Sequence, residues 1–81
     1  MSTATLTVYS RGGCHLCEAL LDELALLRTQ LDFRVEVVDI DTSSALRQRF
    51  NADVPVLTYA DRIICRHFLD PEQVRGALAH A

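Results

Sequence analysis

The sequence predicts an α/β fold in which a mixed four-stranded sheet carries helices on both faces. Stretches rich in β-branched residues alternate with helical patterns in the order β-α-β-α-β-β-α. Strands that a helix joins are expected to run parallel with a right-handed crossover, and strands that a tight turn joins are expected to run antiparallel. A sheet covered by helices on both sides is the simplest assembly of these elements.

A glycine pair separates the first strand from the first helix. Thr5 to Ser10 alternates polar and apolar residues, as in a half-buried strand, and Arg11-Gly12-Gly13 ends it. A long helical pattern follows, and leucines at helical spacing predict its buried face. These leucines are Leu16, Leu20, Leu24, Leu27 and Leu31, and the polar residues opposite them are Glu18, Asp22 and Thr29.

The middle of the chain predicts a second strand and a short helix. Phe33 to Ile40 is rich in β-branched residues, which favour a strand. Asp41 or Thr42 then offers an N-cap for a helix that runs through Phe50. Asn51-Ala52-Asp53 is expected to end that helix.

The last part of the chain predicts a hairpin followed by a helix. Val56 to Tyr59 is the third strand, and Ala60-Asp61-Arg62 is a tight turn into a fourth strand, Ile63 to about Arg66. Asp70-Pro71-Glu72-Gln73 then marks a helix start, with Asp at the N-cap, Pro at the first position and Gln at the third.

The composition fits one small cytoplasmic domain, residues 1–81, which we expect to be a monomer. Of its 81 residues, 49% are hydrophobic, so the chain can build a core but leaves no room for a second domain. Its basic residues, all arginine, are scattered and outnumbered by acids, which speaks against binding to nucleic acid. Acidic residues interrupt the Leu-rich stretch, so no membrane span is expected. Residues 1–5 lack the basic region and apolar core of a signal peptide.

Cys14-His15-Leu16-Cys17 lies where the first strand passes into the first helix. A thiolate at a helix N-terminus faces unpaired backbone N–H groups and the positive end of the helix dipole, and both lower the pKa of a thiol there. Two intervening residues bring the sulfurs within disulfide reach on one helical turn. The motif therefore predicts a thiol-disulfide oxidoreductase, with Cys14 as the attacking nucleophile and Cys17 as the resolving thiol.

Other interpretations of these residues stay open. Cys65 and His67 complete a Cys₃His set with Cys14 and Cys17, and such a set would make the chain a redox-sensing module or a metal-binding module that holds zinc or an iron-sulfur cluster. Cys65 is otherwise a small hydrophobic residue in the last strand, or a redox-sensing or glutathionylated thiol. His15 either favours the Cys14 thiolate by its charge or is a solvated histidine. An interaction domain that has lost turnover is the third interpretation of the whole chain.

Val54-Pro55 stands just before the third strand, where a proline is tolerated. Together with the Cys-x-x-Cys motif, this dipeptide resembles the thioredoxin superfamily, in which a cis-proline loop lies beside the active-site cysteines. The resemblance implies a thioredoxin-like fold and a cis bond between Val54 and Pro55. It also implies that the backbone at Val54 contacts the substrate in the manner of an added strand.

Within that superfamily the chain is similar to glutaredoxins, above all to short, mostly bacterial glutaredoxin-like proteins with a Cys-His-Leu-Cys motif. Tyr9-Ser10-Arg11-Gly12-Gly13-Cys14 matches the glutaredoxin segment, and the resemblance covers the whole chain. It implies that Arg11 faces a carboxylate of glutathione, and that protein disulfides or glutathione mixed disulfides are the substrates. It further implies that electrons come from glutathione, as co-substrate, or from a reductase of the thioredoxin-reductase type, without an organic cofactor or metal.

Two features depart from the glutaredoxin pattern. His15 and Leu16 stand between the cysteines, where glutaredoxins have Pro and an aromatic residue. Cys65-Arg66-His67 replaces a Gly-Gly step after the last strand, and Asp70 follows later than the acid that contacts the glutathione amine. Arg66 would either block the close approach of a substrate backbone or hold a carboxylate.

Overall fold

A computed structural model describes residues 3–79 and shows a four-stranded mixed sheet with helices on both faces. The elements are β1 (Thr5–Ser10), α1 (His15–Leu27), β2 (Arg34–Asp39), α2 (Ser44–Phe50), β3 (Val56–Tyr59), β4 (Arg62–Arg66) and α3 (Pro71–Ala79). The predicted fold class and the predicted order of elements are confirmed. Met1 and Ser2, which belong to the N-terminal segment considered above, lie outside the described residues.

The strand order is β2-β1-β3-β4, which makes β1 and β3 the inner strands. β1 and β2 run parallel, as predicted for strands that a helix joins. For β2 and β3 the same expectation is wrong, because β3 runs antiparallel to β1 and therefore also opposite to β2. The seven residues of α2 span only about 10 Å, roughly half the length of a strand such as β2. The segment that contains α2 is therefore too short to return the chain to the opposite end of the sheet, and β3 begins at the end where β2 stops.

The β3–β4 hairpin turns within two residues. Tyr59 pairs with Arg62, so β4 begins one residue earlier than predicted. The turn residues Ala60 and Asp61 have φ angles of 51° and 64°, and positive φ at both central positions is the geometry of a type I′ turn. This turn matches the twist of the strands, and the predicted antiparallel pairing is confirmed.

A register shift interrupts the pairing of β3 with β4. Thr58 lies opposite Ile63, whereas the preceding residue, Leu57, lies opposite Cys65. Ile64 is therefore an extra residue in β4, which is the defining feature of a β-bulge. Both Ile64 and Cys65 pack against the same hydrophobic cluster.

Two hydrophobic clusters fill the space on either side of the sheet. The main cluster joins β1 and β3 to α1 and α3, and its buried members are Leu6, Val8, Leu20, Leu24, Leu27, Phe33, Leu57 and Val74. The second cluster lies on the side of α2 and contains Ile40, Phe50 and Val56. Tyr9 of β1 stacks on Phe50, with ring centroids 4.4 Å apart, and thereby joins α2 to the sheet.

The buried face of α1 differs from the predicted one at its first turn. Leu16 is 40% exposed, whereas Cys17 is 3% exposed and begins the buried stripe. Neighbouring helical residues point about 100° apart, so only one of these two side chains can face the sheet. Leu31 lies beyond the end of α1 and packs half-buried against the main cluster.

The start of α2 is later than predicted. Its N-cap is Ser43, whose hydroxyl accepts a hydrogen bond from the Leu46 N–H at 3.4 Å. Asp41 and Thr42 instead belong to a short 3₁₀ turn, Ile40–Thr42. A residue inside such a turn cannot provide the extended backbone that an N-cap needs.

The start of α3 is the one that the sequence predicts. Asp70 Oδ1 accepts hydrogen bonds from the backbone N–H groups of Glu72 (3.1 Å) and Gln73 (3.4 Å), and Pro71 is the first helical residue. The Asp70 carboxylate therefore caps the first turn of α3, where N–H groups lack a partner from a preceding turn. Among the helices of residues 3–79, none has both the length and the apolar character that crossing a membrane requires.

Candidate redox site

One end of the sheet gathers the residues that the sequence singles out. Ser10 ends β1 beside Asp39, the last residue of β2. Because β3 runs in the opposite direction, its first residue, Val56, pairs with Tyr9. Arg66, the last residue of β4, also pairs with Val56. The segments after β1, β2 and β4 and the segment before β3 therefore meet here, at what we call the site end.

Cys14 is the N-cap residue of α1 and forms a disulfide with Cys17. Its backbone is extended (φ −92°, ψ 105°), and its Sγ accepts a hydrogen bond from the Cys17 backbone N–H at 3.1 Å. The Cα atoms of the two cysteines are 5.2 Å apart. The sulfur of Cys14 thus takes the place that a capping oxygen commonly fills, where a negative charge is favoured.

Exposure separates the two cysteines. Cys14 is half-buried, whereas Cys17 is buried beneath the first turn of α1. A Cβ atom added to Gly12 or Gly13 would meet nothing within 4 Å, so the approach beside Cys14 is open. Gly13 also has a φ of 74°, a conformation that glycine adopts without steric cost. This arrangement favours Cys14 as the sulfur that a substrate reaches first, as the sequence predicts.

The loop before β3 carries the expected cis bond between Val54 and Pro55. Pro55 is buried, and its carbonyl oxygen accepts a hydrogen bond from the His67 backbone N–H at 2.8 Å. Val54 is half-buried and packs against the second cluster. The end of β4 thus holds this loop at the site end, while the substrate contact of Val54 stays a prediction.

Arg11 forms an ion pair that the sequence analysis did not identify. Its Nε lies 3.3 Å and 3.2 Å from the two carboxylate oxygens of Asp41, and its Nη2 lies 3.0 Å from Oδ1. Asp41 raises the pKa of the Arg11 guanidinium above its ordinary value, first through the hydrogen bond and then through its charge. The local sequence pattern predicts only a helix cap for Asp41. Its place directly after the strand that pairs with β1 was the available signal.

Arg11 also lines an open, polar cavity of about 450 Å³ between the end of β1 and α2. The other lining residues are Ser44, Arg47, Gln48 and Asn51. Arg47 Nη1 donates a hydrogen bond to the backbone carbonyl of Asp41 at 2.8 Å. Two guanidinium groups therefore lie beside a cavity next to the cysteine segment.

His15 points into solvent. Its side chain is 98% exposed, and its Nδ1 lies 3.9 Å from a carboxylate oxygen of Glu18. The geometry thus favours the interpretation of His15 as a solvated residue of the first helical turn.

The Cys₃His set that the sequence offers is not assembled. Cys65 packs against the main cluster, on the side of α3. Within residues 3–79, no group of three or more His, Cys, Asp or Glu side chains is placed to hold a metal ion. Cys65 and His67 therefore do not join Cys14 and Cys17 as ligands in this structure.

Cys65 is expected to be a slowly reacting thiol. Burial raises the pKa of the Cys65 thiol above its ordinary value; a hydrogen bond to the backbone of Asp70 opposes this shift, and the charge of Asp70 adds to it. Since the thiolate is the reactive form, alkylation of the oxidised, folded protein by iodoacetamide near neutral pH should be on the order of tenfold slower than after unfolding. Its rate should rise only at higher pH than for an ordinary thiol.

Mass spectrometry of the oxidised protein measures this rate directly, because two of the three cysteines are then paired. The same oxidised protein in urea is the control. Equal rates in the folded and unfolded states would contradict the packing of Cys65 against the main cluster.

Comparison with known proteins places this geometry in a family. The model of the family described as "Glutaredoxin-like domain (DUF836)" matches residues 5–79. An uncharacterised protein of Mycobacterium tuberculosis (strain ATCC 25618 / H37Rv) is 26% identical, over 100% of this chain and 89% of its own length.

Solved structures agree with this placement. The solution structure of protein Ne2328 from Nitrosomonas europaea is 35% identical over 95% of this chain and 93% of that one, with a TM-score of 0.87. The X-ray structure of protein XcR50 from X. campestris is 32% identical over 94% of this chain and 97% of that one, with a TM-score of 0.72. Thioredoxin 1 from Thermosipho africanus TCF52B, 16% identical over 94% and 96% with a TM-score of 0.62, shares the fold. The chain therefore belongs to the glutaredoxin-like domain family (DUF836) and has the thioredoxin-like fold.

Proposed function

We propose that the chain is a thiol-disulfide oxidoreductase that reduces protein disulfides or glutathione mixed disulfides through Cys14 and Cys17. The family and the fold support a redox function of this type. The observation that carries the proposal is the different placement of the two sulfurs. Cys14 caps α1 beside an open approach, and Cys17 lies buried one turn further along the helix.

The first step is an attack by the reduced protein on its substrate. The Cys14 thiolate forms a bond to one sulfur of the substrate disulfide as the substrate S–S bond breaks, and the other half of the substrate leaves as a thiolate. The Cys17 N–H, which lies 3.1 Å from the Cys14 sulfur in the oxidised protein, stabilises the negative charge of the attacking thiolate. The positive end of the α1 dipole acts in the same direction.

The second step releases the product. Cys17 loses its proton and attacks the Cys14 sulfur, which forms the Cys14–Cys17 disulfide and expels the bound half of the substrate as a second thiolate. The substrate has then gained the two electrons that the cysteine pair has lost. Glutathione or a reductase of the thioredoxin-reductase type restores the dithiol, so the cycle needs no organic cofactor or metal.

Val54 and Pro55 are assigned to orient the substrate. The Pro55 carbonyl already accepts the His67 N–H, so we assign strand-like pairing with the substrate to the backbone of Val54. Arg11, beside the polar cavity of α2, is assigned to a carboxylate of glutathione. Arg66, the last residue of β4, is exposed and adds another positive charge at the site end.

A redox titration in glutathione buffers tests the proposal. Samples are quenched by alkylation and read by intact mass and peptide mapping. We expect a reversible, two-electron disulfide between Cys14 and Cys17, and one glutathione on Cys14 would favour a glutaredoxin-type mechanism. Cysteines that resist alkylation until a chelator is added would instead support the metal-binding function.

A further inference from the structure

Asp41 binds one whole edge of the Arg11 guanidinium. The Nε and Nη2 atoms of Arg11 both lie within 3.3 Å of the Asp41 carboxylate. A guanidinium binds an incoming carboxylate through the same kind of paired N–H edge. A substrate carboxylate that approaches Arg11 therefore finds this edge filled and meets the negative charge of Asp41.

The backbone of Asp41 is held by contacts other than its ion pair with Arg11. Its backbone N–H donates to Asp39 Oδ1 at 2.9 Å, and its backbone carbonyl accepts from Arg47 Nη1 at 2.8 Å. Both contacts hold the main chain of the 3₁₀ turn that follows β2. The backbone of Asp41 therefore stays near Arg11 when the ion pair is broken, so a substrate carboxylate at Arg11 still meets the negative charge of Asp41.

The charges around the cavity largely cancel. Arg11 and Arg47 supply the positive charges, and Asp41 and Asp39 supply the negative charges of the same hydrogen-bonded group. A carboxylate placed in the cavity would thus gain much less than two arginines alone would offer. A protein segment that carries a disulfide need not place a carboxylate at Arg11, so the Arg11–Asp41 ion pair does not weaken its binding.

We propose that Asp41 is a specificity-determining residue, which weakens the binding of glutathione at Arg11 and shifts the preference of the site toward protein disulfides. This inference rests on the proposed function and names the favoured substrate class. Asp41 acts through Arg11, by filling the Nε/Nη2 edge of its guanidinium and by its negative charge, and has no part in the sulfur chemistry.

A binding titration tests this inference without turnover. The probes are S-methylglutathione and its derivative with the glycine carboxylate converted to an amide, titrated into the oxidised protein by calorimetry. In the Asp41→Asn variant, S-methylglutathione should bind about two- to five-fold more tightly, the range expected for an exposed ion pair. The amide should bind equally to both proteins. In an Arg11→Gln background, Asp41→Asn should bring no gain.

Asp61→Asn is the matched control. It removes the same charge from the β3–β4 turn at the opposite end of the sheet, and its positive φ is one that asparagine tolerates. We expect no change in the affinity for S-methylglutathione. An equal gain in Asp61→Asn, an equal gain for the amide, or no gain in Asp41→Asn would overturn the assignment of Asp41.

Kinetics then separate this inference from the proposed function. In Asp41→Asn, the ratio of kcat/KM for a glutathione mixed disulfide to kcat/KM for insulin disulfides should rise by the same factor of about two to five. An unchanged ratio in an active protein would contradict the role of Asp41 alone. If neither protein reduces either substrate, the oxidoreductase proposal fails, and the calorimetric result still decides whether Asp41 blocks Arg11.

Discussion

Cys14→Ser is expected to lower the rate of disulfide reduction on the order of a thousandfold or more, because a serine hydroxyl does not replace the attacking thiolate. Cys14 is the half-buried sulfur at the N-cap, and the buried Cys17 cannot be reached in its place. Reduction of insulin, followed with a coupled electron donor, measures the loss. Full activity of Cys14→Ser would refute the proposed function.

Cys17→Ser is expected to block the second step of the reaction rather than the first. The first step should proceed, and the substrate should remain on Cys14 as a mixed disulfide, since the resolving thiol is missing. Intact mass spectrometry detects this adduct, and peptide mapping locates it. Cys65→Ser is the matched control, with an expected rate close to that of the wild type, because Cys65 packs against the main cluster and forms no three-residue group with Cys14 and Cys17.

Leu20→Ala should produce the largest effect on stability, a loss of about 2–5 kcal/mol in the free energy of unfolding. Leu20 is 1% exposed and lies in the main cluster, so its removal leaves a cavity between α1 and the sheet. A chain of 81 residues has a total stability of roughly 4–12 kcal/mol. This single substitution therefore removes a large part of it.

Leu26→Ala on the same helix is the control for this prediction. Leu26 is 71% exposed, so the same chemical change should alter stability by no more than about 0.5 kcal/mol. Urea unfolding of the oxidised proteins, followed by circular dichroism, measures both values. Similar losses for the two variants would contradict the assignment of the effect to the burial of Leu20, since alanine itself favours a helix more than leucine does.

Much of the fold could be predicted because its signals are local. The alternation in β1, the β-branched residues of β2 and the capping residue Asp70 each act within a few residues. The direction of β3 could not be predicted in this way, since it depends on how far α2 carries the chain. The exposure of Leu16 was also missed, because a leucine repeat fits several rotations of a helix and Cys17 fixes the one that is adopted.

In the candidate site, too, the features that are local in sequence could be predicted, and the contact between distant residues could not. The Cys-x-x-Cys motif and the Val54-Pro55 dipeptide are each contiguous in sequence, and the positions of Cys14 at the N-cap and of the cis bond are confirmed. The ion pair of Arg11 with Asp41 joins residues 30 positions apart. This ion pair forms because β1 and β2 run parallel and end side by side, and no local sequence pattern predicts that pairing.

The bulge in β4 bears on disulfide scrambling. If β3 and β4 paired regularly, with Ile64 opposite Leu57, Cys65 would lie opposite Val56, and its side chain would change to the face of the sheet that holds the second cluster and Val54. A third thiol beside the substrate loop would compete with Cys17 for any partner bound to Cys14. With the bulge, Cys65 packs against the main cluster instead. One extra residue in β4 thus keeps the Cys65 thiol on the opposite face of the sheet from Val54.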